Sequence, residues 1–302
     1  MAEKILFIPA LGLTILVIPW IKKVSFNMGY VDHPGNDPLK VHVAPIPHSG
    51  GLAIFGVFAL LIILVSLFGN SGGAGVEWWP LLLGGGLVFS LGMIDDLKNL
   101  HLIIRLSGEI AAGMLLIFFG RGFAAPLFLS LPLTLCYVVG AINAVNMADG
   151  LDGLAGGMVV LSLLGFALLA NRTEQTEIQT IIFLLAGVGV GFLIYNFNPA
   201  SIFMGDGGSY FLGFVLAYLA ISFTGFQHWG KFIGPILIIG VPVLDTALAI
   251  FRRMGQGVSP FFGDRSHFYD LLIQRNLTVR QTVLIGWALQ AIIVGFGVFI
   301  YQ

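Results

Sequence analysis

Asn143-Ala144-Val145-Asn146-Met147-Ala148-Asp149-Gly150-Leu151-Asp152-Gly153-Leu154-Ala155-Gly156-Gly157 sets two amides, two carboxylates and four glycines between two long apolar runs. Amides and carboxylates are expensive to leave in hydrocarbon, so they should line a wet site. The glycines admit close backbone approach and positive φ. Alone, the stretch reads equally well as a polar loop between two membrane helices. The rest of the chain decides against that reading.

Around it, the 302 residues are 57% hydrophobic and 10% charged, with a mean hydropathy of +0.96. Soluble domains average roughly 25% charged residues. The composition therefore predicts a polytopic membrane protein, one integral-membrane domain over 1–302 with no separate soluble domain. The net charge of −1 carries no information about partners, and nothing points to nucleic acid. Cys136 lies in an apolar run and reads as a small buried core residue; a lone cysteine forms no internal disulfide. The N-terminal apolar run ends at Trp20 with no small-residue cleavage site and is followed by Lys22 and Lys23. It reads as a retained first span.

A spanning helix needs roughly 20 mostly apolar residues. Ten runs qualify, over 4–21, 51–68, 79–94, 103–120, 126–145, 154–170, 178–195, 208–225, 232–250 and 282–301. The expected fold is all-α. Lys22 and Lys23 place the loop after the first span inside the cell. Alternating from there puts ten of the 14 Lys and Arg residues inside. Nine of the ten aspartates share that face, with Asp245 inside the ninth run. Short carboxylates carried by several loops to one face suit a shared site for a divalent cation or a phosphate-bearing substrate.

The remaining polar motifs supply candidates. In the loop over 32–51, four prolines and three glycines forbid a continuous helix. Its Lys40 is a mobile cation suited to a diphosphate. His33, His42 and His48 have no recognised metal-ligand spacing. Asp95-Asp96 closes the third run; two adjacent carboxylates repel unless a cation or shared proton intervenes, so they suit metal ligation or proton transfer. Arg105 and Glu109, four apart on a helix, read as a structural pair. Phe203-Met204-Gly205-Asp206 heads the eighth run, with Asp206 suited to a Mg²⁺ ligand and Phe203 to stacking on a base. Asn196 and Asn198 read as turn chemistry. In the last cytoplasmic loop Arg265 and His267 offer donors to phosphate and sugar oxygens. No Walker A sequence or EF-hand loop occurs.

Together, Pro47-His48-Ser49-Gly50-Gly51, Asp95-Asp96, Asn143 through Gly157, Phe203 through Asp206 and Arg265-Ser266-His267 resemble the polyprenyl-phosphate N-acetylhexosamine-1-phosphate transferase family, in its order and over nearly the whole chain. The resemblance implies a ten-helix fold with a cytoplasmic active site in the inner membrane, and a homodimer as a common assembly. It implies that a polyprenyl phosphate attacks the β-phosphorus of a UDP-N-acetylhexosamine, releasing UMP, with Mg²⁺ (or Mn²⁺). By similarity Asp206, with Asp95 and Asp96, holds the metal; Asp95 or Asp96 takes the acceptor's proton. Asn146 and Asp149 contact the nucleotide, Asp152 supports their loop and Phe203 lies near the uracil. Arg265 and His267 bind diphosphate or sugar, and Lys40 and Arg105 add positive charge. The chain departs from the family in having one histidine at His267-Phe268-Tyr269, without the translocase subgroup's histidine run. That disfavours a MurNAc-pentapeptide donor and leaves the hexosamine open. An ion-coupled transporter would instead carry midplane charges and repeat symmetry. An intramembrane aspartyl protease would need two deep aspartates.

Overall fold

The computed structural model describes residues 2–34, 44–68, 78–259 and 266–301. They form α1 Ala2–Ile5, α2 Phe7–Met28, β1 Val31–Asp32, β2 Ile46–Pro47, α3 Gly50–Phe68, α4 Trp79–Lys98, α5 Leu102–Phe118, α6 Leu127–Ala148, α7 Leu154–Arg172, α8 Thr176–Asn196, α9 Gly205–Phe223, α10 Trp229–Ile239, α11 Val241–Gly255, α12 Phe268–Gln274 and α13 Val279–Ile300. β1 and β2 pair antiparallel, Val31 opposite Pro47, and tie the loop after α2 to the head of α3. The protein is all-α apart from that short pairing among the described residues.

Eight described helices are long and apolar enough to cross a membrane, or nine if the pair α10 and α11 counts as one span. This is close to the ten runs expected from sequence, and one of those runs is corrected. The run expected over 103–120 is α5, whose 17 residues sit at the lower limit of a spanning helix, roughly 17; it carries the chain from the end of α4 that holds Asp95 back to the end where α6 begins. The run expected over 232–250 is broken at Gly240, where the chain bends by 87°. The physical reason is local: Gly240 has φ 58 and ψ −116, and Pro242 follows, which supplies no N–H to a continuing helix.

Several helices also extend beyond their apolar runs. α2 continues past Lys22 and Lys23 to a left-handed Gly29 that closes it. α4 takes Asp95 and Asp96 into its last turn, and α6 takes Asn143 and Asn146 into its last two. The polar residues therefore ride on helix ends, which aim them better than a loop would.

α9 is the centre of the bundle and is almost wholly buried. It packs on α4 and α6 and also touches α3 and α10. A second packing unit joins α7 to α8 and α13, with α2 against α8. The outer helices expose large apolar side chains such as Leu16, Phe68, Phe118 and Ile292, as expected for surfaces facing lipid. Cys136 is among the exposed residues rather than in the core. It lies on the outer face of α6, a rotation that its apolar neighbours could not reveal.

Candidate active site

The site forms where chain segments remote in sequence meet at one end of the bundle. Gly50 N–H donates to Phe203 O at 2.9 Å, Gly51 N–H to Met204 O at 2.8 Å, and Phe203 N–H to Pro47 O at 2.8 Å. This backbone seam fixes the head of α3 against the head of α9. Gly205 is the special position in it. With φ 71 it adopts a left-handed conformation, and a Cβ there would lie 2.7 Å from Asp96 Oδ2.

The adjacent aspartates of α4 part company. Asp95 is 4% exposed. It accepts from Leu100 N–H at 2.7 Å, Arg105 Nη1 at 3.2 Å and Tyr210 O–H at 2.9 Å. It ties α4, α5 and α9 together. Asp96 turns the other way. The backbone N–H of Asp206 straddles its two oxygens at 3.0 and 3.1 Å, and Tyr30 O–H donates to Oδ2 at 3.2 Å. Burial and the Asp96 charge push the Tyr30 hydroxyl up from its ordinary pKa. Asp206 in turn accepts from Asn146 Nδ2 at 2.7 Å, and the same amide reaches Ser209 Oγ at 3.0 Å.

The Asn143 to Gly157 stretch is one wall of the site. Asp152 Oδ2 accepts from Asn198 Nδ2 and Ala200 N–H, both at 3.0 Å, clamping the 198–200 turn. Asn196 accepts from Gly153 N–H at 3.0 Å and donates to Ile202 O at 3.0 Å. Tyr269 O–H donates to Met147 O at 2.9 Å from the other side. Asp149 is left among like charges. Desolvation first, then Asp206, Asp96 and Asp152, hold its carboxyl well above the usual carboxylate range.

These groups surround a cavity of about 730 Å³ lined by Asp96, Asn146, Asp149, Asp152, Phe203 and Asp206, together with Lys22, Asp32, His48 and the 198–201 turn. The volume lies within the usual range for small-molecule sites. Of the residues singled out from sequence, those six meet here. Asp95, Arg105 and His267 do not line it. Lys40 and Arg265 fall outside the described residues.

Two pairings differ from the sequence expectation. Arg105 pairs with Asp95 rather than Glu109, because α5 turns its guanidinium toward α4. Buried Glu109 instead accepts from Asn143 Nδ2 at 2.6 Å. Asp245, the aspartate left inside a span, has a partner in His267: Nδ1 lies 2.6 Å from Oδ2, and Phe268 N–H donates to Oδ1 at 3.0 Å. His267 is 5% exposed and stacks on the Tyr269 ring, with centroids 5.5 Å apart. Its geometry joins α11 to α12 and, through Tyr269, to Met147.

Sequence reasoning missed Tyr30, Tyr210, Ser209 and Lys22 as site-forming residues, and placed His48 in a family motif without giving it a role. His48 lies 3.5 Å from Asp32 and 4.0 Å from Asp96, and its ring meets Phe203 edge-on at 5.5 Å. Lys22 carried a signal, as the first cation after a span, but it spoke to orientation. Tyr30, Tyr210 and Ser209 carried none above their surroundings.

The donor set suits a hard divalent cation, because the lining includes the carboxylates of Asp96, Asp149, Asp152 and Asp206 and the amide of Asn146. Among the described residues no three carboxylates or histidines converge tightly enough to cage an ion. Mg²⁺ does not require such a cage; it usually takes one or two carboxylates and completes its shell with water and substrate phosphates.

Comparison with known proteins identifies the family of the chain. Residues 78–224 match the model of glycosyl transferase family 4. That span runs from α4 to the end of α9 and holds Asp95-Asp96, Asp149, Asp152 and Asp206. The chain is 32% identical over 295 residues to a probable undecaprenyl-phosphate N-acetylglucosaminyl 1-phosphate transferase of Bacillus subtilis, covering 92% of this chain and 79% of that protein. It is 30% identical to a decaprenyl-phosphate N-acetylglucosaminephosphotransferase of Mycolicibacterium smegmatis, over 95% of this chain and 80% of the relative. It is 29% identical to an undecaprenyl-phosphate alpha-N-acetylglucosaminyl 1-phosphate transferase of Escherichia coli K12, over 94% and 80%.

Proposed function

Because the chain belongs to glycosyl transferase family 4, we propose that it transfers N-acetylglucosamine 1-phosphate from UDP-N-acetylglucosamine to a polyprenyl phosphate. The single observation that carries this reading is the carboxylate-lined cavity at the shared end of α4, α6 and α9. In the reaction an acceptor phosphate oxygen attacks the β-phosphorus. The bond from that phosphorus to the bridging oxygen breaks, and UMP leaves with the electron pair. A divalent cation, Mg²⁺ or in its place Mn²⁺, would offset the charge of the diphosphate.

The chain's own groups divide the remaining work. Asp206 and Asp96 would hold the cation, with Asn146 orienting Asp206 through their 2.7 Å hydrogen bond. Asp96, facing the cavity, also takes any proton left on the acceptor phosphate. Asp95 positions rather than ligates, since it is buried on Arg105, Tyr210 and Leu100 N–H and does not line the cavity as Asp96 does. Asp149 and Phe203 face the nucleotide, and Asp152 holds the turn beneath it. His267, buried against Asp245, braces the wall through Tyr269. An apolar groove of about 190 Å³ between α6 and α11 includes Gly140, Ala144, Thr246 and Ile250. It lies along α6, the helix that carries Asn146 near its end, and is the place proposed for the acceptor's hydrocarbon. The enzyme lies in the inner membrane with this cavity facing the cytoplasm.

The test is UMP release from purified protein supplied with undecaprenyl phosphate, MgCl₂ and a panel of UDP-sugars. The expected result is one UMP per lipid-linked product with UDP-N-acetylglucosamine, abolished by EDTA and by omission of the lipid. Folded protein that releases no UMP with any donor would overturn the proposal, and metal-independent release would overturn the cation's part in it.

A further inference from the structure

The described lining of the cavity is unbalanced in charge. Asp32, Asp96, Asp149, Asp152 and Asp206 contribute five carboxylates, while Lys22 is the one described lining residue with a permanent positive charge. A substrate with two phosphates meets strong repulsion there unless cations stand between.

Lys22 is held ready for such a contact. It is half-buried near the end of α2, whereas its neighbour Lys23 is exposed. Its ammonium lies 5.8 Å from the centre of the Tyr195 ring, within the range of a cation–π contact. The Tyr195 hydroxyl is itself tied to Ile15 O at 3.1 Å, which fixes the ring. Lys22 forms no ion pair with a described carboxylate. An aromatic face holds the side chain without using its three N–H donors, which remain for an anion.

The packing indicates which anion. α2 packs on α8 and α3, whereas the apolar groove lies between α6 and α11. Lys22, Phe26 and Asp32 line the cavity and not the groove, so with the acceptor's hydrocarbon assigned to the groove, the α2 side is left to the water-soluble nucleotide. We propose that Lys22 is a donor-binding residue, its ammonium paired with a phosphate oxygen of the UDP-sugar. This rests on the transferase reading of the cavity.

The experiment measures UDP binding by calorimetry, with MgCl₂ present, and steady-state UMP release. It uses the full-length protein and the variants Lys22→Gln, Lys22→Met, Lys22→Arg and Lys23→Gln. Loss of one charge-assisted contact should raise the Kd for UDP and the KM for UDP-N-acetylglucosamine about tenfold in Lys22→Gln and Lys22→Met. The kcat and the KM for undecaprenyl phosphate should stay within about twofold, Lys22→Arg should recover most of the affinity, and Lys23→Gln should match the parent. Unchanged UDP affinity in either folded neutral variant overturns the proposal. So does a rise confined to the KM for undecaprenyl phosphate, or loss of the fold in both neutral variants. A parent protein that binds UDP through Lys22 yet releases no UMP would sink the transferase reading and leave the nucleotide contact standing. A parent protein that binds no UDP would overturn both.

Discussion

Asp95 and Asp96 are neighbours in sequence and opposites in environment, and a side-chain amide at each position separates their roles. Asp95→Asn keeps the shape but removes the charge that Arg105 and Tyr210 address. The expected outcome is a melting temperature lowered as for a loss of about 1–2 kcal/mol, part of the full cost being relieved because Arg105 is partly exposed. Turnover of the folded fraction should survive. Asp96→Asn should leave melting nearly unchanged and lower kcat by on the order of 10²-fold or more. Asp206→Ala should abolish UMP release while the protein still folds. An inert but stable Asp95→Asn, beside an active Asp96→Asn, would reverse the assignment. Asp149 adds a pH dependence. Its folded-state pKa is raised, so the folded protein binds its proton more tightly than the unfolded chain does. That stabilisation is present below the unfolded carboxyl value, near pH 4, and is lost as pH rises through the folded value. Metal-free protein should therefore melt at falling temperature as pH increases, and Asp149→Asn should flatten the slope. A slope unchanged in Asp149→Asn would assign the effect to another group. Pairings at this scale were the least legible in the sequence. The i, i+4 spacing of Arg105 and Glu109 was visible, but the rotation of α5 that sends one to Asp95 and the other to Asn143 depends on packing that only the assembled bundle sets.

At the scale of elements, the break between α10 and α11 is the feature that a hydropathy reading smoothed over. The run over 232–250 is apolar throughout except for Asp245, so it scored as one span; the warning lay in Gly240-Val241-Pro242. A break inside a membrane leaves backbone groups that must find partners, and Gln290 of α13 supplies them. Fully buried, it accepts from Val241 N–H at 2.8 Å. Its amide donates to Ile238 O at 3.0 Å, Ile239 O at 3.3 Å and Ser162 Oγ at 2.9 Å. One side chain thus bridges both edges of the break and joins it to α7 and α13. A glutamine midway along an otherwise apolar run was the corresponding signal. Gln290→Leu keeps the volume and removes every one of these bonds, leaving buried backbone groups unsatisfied at a cost of about 3 kcal/mol. A clear fall in melting temperature in detergent is expected. Activity should fall too, since α11 carries Asp245 to His267 and His267 leads through Tyr269 to Met147. Unchanged melting would mean that the bend is held by Gly240 and side-chain packing alone.

For the molecule as a whole, the legible part was what lipid forbids. Charged residues cannot be scattered along spans, so the motifs that carry carboxylates had to collect at helix ends. Alternation then assigned most of them to one face before any contact was known. The structure brings Asp96, Asn146, Asp149, Asp152, Phe203 and Asp206 together at that end. Arg280 lies there as well, bonded to Asn198 O at 3.0 Å. Arg172 sits at the far end of α7, bonded to Val298 O near the close of α13. Sidedness therefore reduces to one question, which end of the bundle meets the cytoplasm, and the lysine and arginine excess is the ground on which the cavity end is proposed. The single cysteine makes this measurable. Cys136 faces outward from the middle of α6, so lipid should shield it from a membrane-impermeant maleimide, and Cys136→Ser gives a clean background. In that background Lys23→Cys and Thr173→Cys place exposed thiols at the cavity end and the opposite end. Intact spheroplasts should label Thr173→Cys alone, and permeabilised ones should label both. Labelling of Lys23→Cys in intact cells, with Thr173→Cys protected, would invert the protein in the membrane. It would also put the cavity out of reach of a cytoplasmic nucleotide sugar, so that the donor assigned to the site would fail with the orientation.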